Sequence, residues 1–174
     1  MCLSKKEQEM IERVSRKDKI KILFVCLGNI CRSPAAEGVM KYIVADNDAE
    51  TRFEIDSAGT GNYHIGDLPD NRMRVHARRR GYDLTHRARQ FKTRDFDDFD
   101  LIIPMDESNR RNITRMARNE NDESKIIPMA KFFDASTRYD HVPDPYYEGS
   151  EGFELVLDLL EAGLYNLYNN LSTN

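Results

Sequence analysis

Two kinds of apolar spacing alternate along this chain. Ile20-Lys21-Ile22-Leu23-Phe24-Val25 is a nearly unbroken apolar run, the pattern of a strand buried on both faces, as in a parallel sheet. Behind it Ala36, Val39, Met40 and Ile43 recur at helical spacing through about Val44. Ser33 and Pro34 stand where an N-cap and a first helical residue belong. The alternation then repeats. Phe53-Glu54-Ile55 predicts a short strand, and Asp70 to Arg80 a helix that stops at Gly81. Leu101-Ile102-Ile103 predicts a third strand, Asp106 to Arg118 a helix with acids in its first turn, and Ile126-Ile127 a fourth strand. A polar loop over 134–149 leads to a last helix from about Glu151 to Leu171, with Phe153, Val156, Leu157, Leu160, Leu164 and Leu167 on one stripe. Strands alternating with helices imply βαβ units and a parallel sheet with right-handed crossovers.

No repeat, low-complexity stretch or linker interrupts this pattern, so residues 20–174 are expected to form one domain, within the size a single core supports. Residues 1–19 read as a charged N-terminal extension. Met10, Ile11 and Val14 could give it one weakly apolar helix face, and a loosely ordered tail is the other reading. The chain is 40% hydrophobic and 32% charged, too apolar for disorder. Lys+Arg number 26 against 30 Asp+Glu, a net charge of −4, so nothing in the bulk electrostatics suggests nucleic acid or an anionic membrane. The arginines at 72, 74, 78, 79, 80, 110, 111, 115 and 118 read as solvated helix faces offset by neighbouring acids. No apolar run is long enough to span a bilayer, and the start lacks the apolar middle of a secretory signal, so a cytoplasmic location is expected. Cysteines number 3, at positions 2, 26 and 31, too few and too odd for a disulfide scaffold. His64, His76, His86 and His141 make no zinc-ligand spacing with them, and neither metal nor cofactor is expected.

The segment between the first strand and the first helix carries the chemistry. Residues Leu27, Gly28, Asn29, Ile30 and Cys31 separate Cys26 from Arg32. In a loop of this length, joining a buried strand to a helix N-terminus, successive backbone N–H groups can ring an oxyanion, and the helix dipole adds partial positive charge. Gly28 allows backbone angles that a side chain would forbid. Arg32 can grip two phosphate oxygens at once. A cysteine beneath such a cradle is expected to sit as thiolate, its nucleophilic form. The glycine and lysine spacing of a nucleotide-binding loop is absent.

Cys26 to Pro34, C-L-G-N-I-C-R-S-P, resembles the signature of the low-molecular-weight protein tyrosine phosphatases. Asp56-Ser57-Ala58-Gly59, His86-Arg87-Ala88-Arg89-Gln90, Met105-Asp106-Glu107-Ser108-Asn109 and Asp144-Pro145-Tyr146-Tyr147 agree in order and spacing, over roughly residues 20–172. The resemblance implies a three-layer α/β/α fold, with a four-stranded parallel sheet flanked by helices on both faces. It implies phosphotyrosine hydrolysis through a phosphocysteine at Cys26, with Arg32 and the N–H groups of residues 27–32 binding phosphate. Asp144, stiffened by Pro143 and Pro145, would be the general acid and then the base that activates water. Tyr146 and Tyr147 would wall a slot deep enough for phosphotyrosine, with Tyr63 as a further rim residue. Asn29, Ser33, Ser57 and His86 would form the network that supports the loop. Cys31 is a candidate redox partner of Cys26, trapping its sulfenic acid as a disulfide. A phosphotyrosine protein is the expected substrate and a tyrosine kinase the expected counterpart, with a monomer the expected state.

Two other chemistries fit the same loop. An arsenate reductase coupled to thioredoxin would need cysteines after Cys31, and the chain has none. Phosphoarginine phosphatases on this scaffold tend to carry Thr where Ile30 stands, and to lack the paired tyrosines.

Overall fold

β1, residues Ile20–Cys26, is the central strand of a parallel sheet ordered β2-β1-β3, with β2 at Phe53–Gly59 and β3 at Leu101–Pro104. The computed structural model describes residues 2–172. The helices are α1 (Lys5–Ser15), α2 (Arg32–Asp46), α3 (Asn71–Arg79), α4 (Asp95–Asp98), α5 (Glu107–Met116), α6 (Glu120–Ser124) and α7 (Ser150–Ser172), with a 3₁₀ turn at Met129–Phe132.

The expected fourth strand is a correction: the sheet has three strands, and Ile126 makes a single bridge to Ile102. Proline explains why pairing stops there. Ile102 offers its N–H to Lys125 and its carbonyl to Ile127, at 2.9 and 3.0 Å. Side chains and ladder groups alternate along a strand, so the next donor on that edge would be the N–H of residue 104. Pro104 has none. Pro128 then turns the chain into the 3₁₀ segment.

β1 is buried along its length, and its alternation serves two cores. Ile20, Ile22 and Phe24 pack with α1, α2 and α7 on one face, while Leu23 and Val25 meet Phe91, Phe96, Phe99 and Ile113 on the other. α2 and α7 press together over the first core, and α7 buries Phe153, Val156, Leu157, Leu160, Leu164, Leu167 and Leu171 at helical spacing. The helix predicted over 106–118 is α5, which ends at Met116 because Ala117 is extended, and a separate helix, α6, follows with Asn119 capping it through the N–H of Asp122. α4 and α6 were not evident in the apolar pattern. Both are short and rich in acids, and α6 is held by the Asn119 side-chain cap.

Residues 5–15 of the N-terminal extension form a helix with a capping box, Ser4 and Glu7 each accepting the other's backbone N–H. Met10, Ile11 and Val14 are buried in the same core as β1 and α7. Glu7 meets Lys131 at 3.3 Å, Lys17 pairs with Asp100, and Arg52 donates to the carbonyl of Ser15. Truncating one of these apolar side chains should therefore cost as much as a cut in the central core. Ile11→Ala is expected to lower unfolding stability by about 2–4 kcal/mol. Arg16→Ala, which loses only an exposed pair with Glu12, should cost less than about 1 kcal/mol. Chemical denaturation of both variants decides it, and equal small losses would detach α1 from the core.

Candidate active site

At the C-terminal ends of the neighbouring strands β1 and β3 the onward connections diverge, from β1 to β2 on one side and from β3 to the Ile126 bridge on the other, which makes the topological switch point where open α/β sheets place ligand sites. The loop of residues 27–31 begins there. Asn29 holds the left-handed conformation, φ 56°, which its short polar side chain tolerates. Among the described residues, the backbone N–H groups of Gly28, Asn29, Ile30 and Cys31 meet no backbone acceptor. Ser33 is not the N-cap that the sequence suggested. α2 starts at Arg32 and Cys31 caps it without a side-chain bond. Ser33 is needed elsewhere, its Oγ lying 3.0 Å from Cys26 Sγ and 2.8 Å from Asn29 Nδ2.

The four support residues expected from the sequence are joined in one network. Asn29 Nδ2 donates to Ser33 and to Ser57 Oγ, the latter at 3.0 Å, and its Oδ1 lies 2.9 Å from His86 Nε2 and accepts the Arg89 N–H at 3.0 Å. Glu37, buried on α2, extends it by accepting from Ser57 Oγ at 2.8 Å and facing His86 Nδ1 at 3.1 Å. Gly59 ends β2 directly under the loop, where a Cβ would stand 2.6 Å from the Leu27 carbonyl oxygen. Glu37, Asp56 and His86 offer atoms within 4.8 Å of one another. Protein cations already occupy this carboxylate pair, Lys41 meeting Glu37 at 2.7 Å and Arg89 meeting Asp56 at 3.1 Å.

Arg32 is buried and aimed by two acids. Its Nη1 donates to Asp106 Oδ2 at 2.6 Å and to the Val142 carbonyl at 3.1 Å, and Nη2 reaches Asp144 Oδ2 at 3.5 Å. Burial opposes its charge, but Cys26, Asp106 and Asp144 more than offset that and hold the guanidinium above its ordinary pKa. Asp144 is partly exposed and accepts the Tyr146 N–H at 3.1 Å. Cys26, Arg32, Asp144, Tyr63, Tyr146 and Tyr147 all line one cavity of about 360 Å³, together with Leu27, Gly28, Ile30, Cys31 and His64. Tyr146 is packed edge-on against Tyr147, centroids 5.0 Å apart, while Tyr147 itself is 93% exposed and stands at the mouth rather than in a wall. Burial, and then the charge of Asp70, drive the Cys31 thiol far above its ordinary pKa.

Sequence reasoning assigned no role to Asp106, Glu37, His64 or the Asp70–Arg72 pair. In the sequence Asp106 reads as a first-turn helix acid inside the family-like segment 105–109, with no role of its own, and it does cap α5, its Oδ1 accepting the Asn109 N–H at 2.8 Å. The available signal was its place just beyond the C-terminal end of β3, beside the switch point. Glu37 lies on a helix buried nearly all round, a setting that apolar spacing alone does not reveal for a carboxylate.

Residues 21–174 match the family model described as low molecular weight phosphotyrosine protein phosphatase. A protein of Synechocystis sp., named for the low molecular weight protein-tyrosine-phosphatases, is 47% identical over 156 residues, covering 87% of this chain and 96% of its own. The crystal structure of a protein tyrosine phosphatase from Entamoeba histolytica, with Hepes in its active site, superposes with a TM-score of 0.85 at 42% identity, covering 88% of this chain and 97% of that one. The structure of a Drosophila arginine phosphatase reaches a TM-score of 0.83 at 28% identity, over 89% of this chain and 99% of that one. With the loop, the switch-point cavity and these likenesses in agreement, the chain belongs to the low molecular weight phosphotyrosine protein phosphatase family.

Proposed function

We propose that the protein hydrolyses phosphotyrosine in proteins through a phosphocysteine at Cys26. The observation that carries this reading is the convergence of Cys26, Arg32 and Asp144 on one cavity that is also lined by Tyr63, Tyr146 and Tyr147. Cys26 Sγ attacks phosphorus, the bond from phosphorus to the phenolic oxygen breaks, and Asp144 supplies the proton that the departing phenolate takes. Water, deprotonated by Asp144, then attacks the phosphocysteine and returns the thiolate with inorganic phosphate. Arg32 suits the transferring group because both Nη1 hydrogens are already committed to Asp106 and Val142. That leaves the Nε–Nη2 edge as a two-pronged donor for phosphate oxygens. Loop N–H groups and the α2 N-terminus add positive potential at the same point.

Cys26→Ser is expected to abolish turnover of an aryl phosphate, since a hydroxyl stays protonated at neutral pH. Asp144→Asn should slow phosphotyrosine hydrolysis by roughly 10²–10⁴-fold. Turnover by Cys26→Ser within about tenfold of the parent would sink the nucleophile assignment.

The likeness to an arginine phosphatase raises a second reading, phosphoarginine as substrate. Ile30 in the cavity lining, together with the aromatic Tyr63, Tyr146 and Tyr147, favours a flat phenyl ring over a flexible guanidino chain. The expected order of kcat/KM on matched peptides is phosphotyrosine above both phosphoserine and phosphoarginine. A higher value for phosphoarginine reverses the substrate assignment.

Cys31 gives the loop a redox role in this reading. Peroxide oxidises Cys26 to sulfenic acid and is itself reduced to hydroxide, and the Cys31 sulfur then displaces water to close a disulfide. Burial keeps Cys31 protonated, so peroxide meets Cys26 first, and both thiols line the same cavity. Wild type treated with peroxide should regain activity in dithiothreitol, while Cys31→Ser at the same dose should not, with peptide mapping finding over-oxidised Cys26 in the variant. Equal recovery of the two would reduce Cys31 to a packing residue.

A further inference from the structure

Asp144 stands on a segment without regular structure, between the end of the 3₁₀ turn and α7. One side is anchored, the Val142 N–H donating to the Met105 carbonyl at 2.9 Å. On the other side the anchor is Arg72, the second residue of α3, which is not part of the cavity lining. Its backbone N–H and Nε donate to Asp70 Oδ1 at 2.9 and 3.1 Å, and Nη2 donates to Asp70 Oδ2 at 2.9 Å. Nη2 also donates to the Tyr146 carbonyl at 3.0 Å. The guanidinium carbon lies 5.5 Å from the Tyr146 ring centroid and 4.9 Å from that of Phe153 on α7. Phe153 is buried and stacks on His76, one turn further along α3, at 5.6 Å.

Each end of this contact continues to a reacting group. Asp70 donates its backbone N–H to the Ile30 carbonyl, inside the phosphate loop, at 2.8 Å. Tyr146 donates its N–H to Asp144 Oδ1 at 3.1 Å. A chain of hydrogen bonds therefore runs from the phosphate loop through Asp70, Arg72 and Tyr146 to Asp144. We propose that Arg72 is a positioning residue that holds the Asp144 carboxyl at a fixed place over the phosphate loop, acting through Tyr146 and without touching substrate. This rests on Asp144 being the general acid. The role needs arginine. A planar fork can bind a carboxylate on one edge, donate to a carbonyl from the same nitrogen and stack on two rings, and a lysine ammonium offers no such plane. A proton donor displaced by about 1 Å can lose on the order of 10²-fold in rate, so a loosened loop is costly even with the acid present.

The test is kcat/KM, which reports phosphocysteine formation, on aryl phosphates with poor and good leaving groups. It compares wild type, Arg72→Ala, Arg72→Lys, Asp144→Asn and the Arg72→Ala/Asp144→Asn double variant. Inorganic phosphate inhibition is measured alongside as a report on the cradle. Arg72→Ala should lose about 10- to 100-fold on poor leaving groups and less than about threefold on a good one, with phosphate inhibition within about twofold of wild type. Arg72→Lys should recover little. In the Asp144→Asn background Arg72→Ala should add almost nothing, because it acts through the residue already removed. Equal losses on all leaving groups, weakened phosphate inhibition, or full additivity in the double variant would overturn the proposal. A large loss in Asp144→Asn with none in Arg72→Ala overturns the Arg72 role alone. Unimpaired hydrolysis of poor leaving groups by Asp144→Asn removes the acid assignment, and the Arg72 role with it.

Discussion

The phosphate loop keeps its shape because the side chain of Asn29 is bound on every side. Its amide donates to Ser33 and Ser57, and its oxygen faces His86 and accepts from the Arg89 backbone. Those partners come from α2, β2 and the segment that runs beside Gly59. The residue at the apex of the loop is thus tied to three separate pieces of chain, in a left-handed conformation that costs a non-glycine residue energy. A loop held this way does not need to reorganise when an anion arrives, which is the condition under which N–H groups stabilise a transition state most. The rest of the site is arranged around that fixed point.

Fixing it required burying polar groups under the sheet's edge, where a partner missing from any link would leave a buried donor or acceptor unsatisfied. Glu37 shows how this is managed. Its carboxylate is buried, yet it accepts from Ser57, faces His86 and meets Lys41, whose stem reaches in from the surface. Asp56 is treated likewise by Arg89, which also holds Asp95 at 3.1 Å. The carboxylates under the loop are each paired, so none of them stands there as an uncompensated buried charge.

The parts of this arrangement that could be read in the sequence are those with a local pattern. β1 shows as an unbroken apolar run, α7 as a stripe at helical spacing, and the Cys26–Arg32 loop as a spacing between a strand and a helix. Ser33 shows where local pattern misleads. It stands where a cap belongs, but the pull of Cys26, Asn29 and the Ala58 carbonyl, at 3.3 Å, outweighs capping. Ile126-Ile127 has strand composition, but whether it pairs is decided by Pro104, a residue in another strand. Met10, Ile11 and Val14 are too few for their own pattern to tell a helix from a tail. What settles α1 is the apolar face that α7 and β1 present to it. Asp106 and Arg72 were hidden for the same reason, since the contacts that give them meaning reach back 74 positions to Arg32 and forward 74 to Tyr146.

Those two residues also explain why the site tolerates so much negative charge around one arginine. Asp106 and Asp144 both face Arg32, and phosphate brings more. The geometry separates the roles by distance and by nitrogen. Asp106, rigid because it caps α5, takes Nη1 at 2.6 Å and sets the plane of the guanidinium. Asp144 meets Nη2 at 3.5 Å, too long for a strong bond, so phosphate oxygens can claim that nitrogen without breaking a tight ion pair. Were the distances reversed, Asp144 would hold the guanidinium and Arg32 would be turned away from the loop. In the proposed reading the longer contact keeps the Asp144 carboxyl out of a tight ion pair, and its placement falls to the Tyr146 N–H and, behind it, to Arg72.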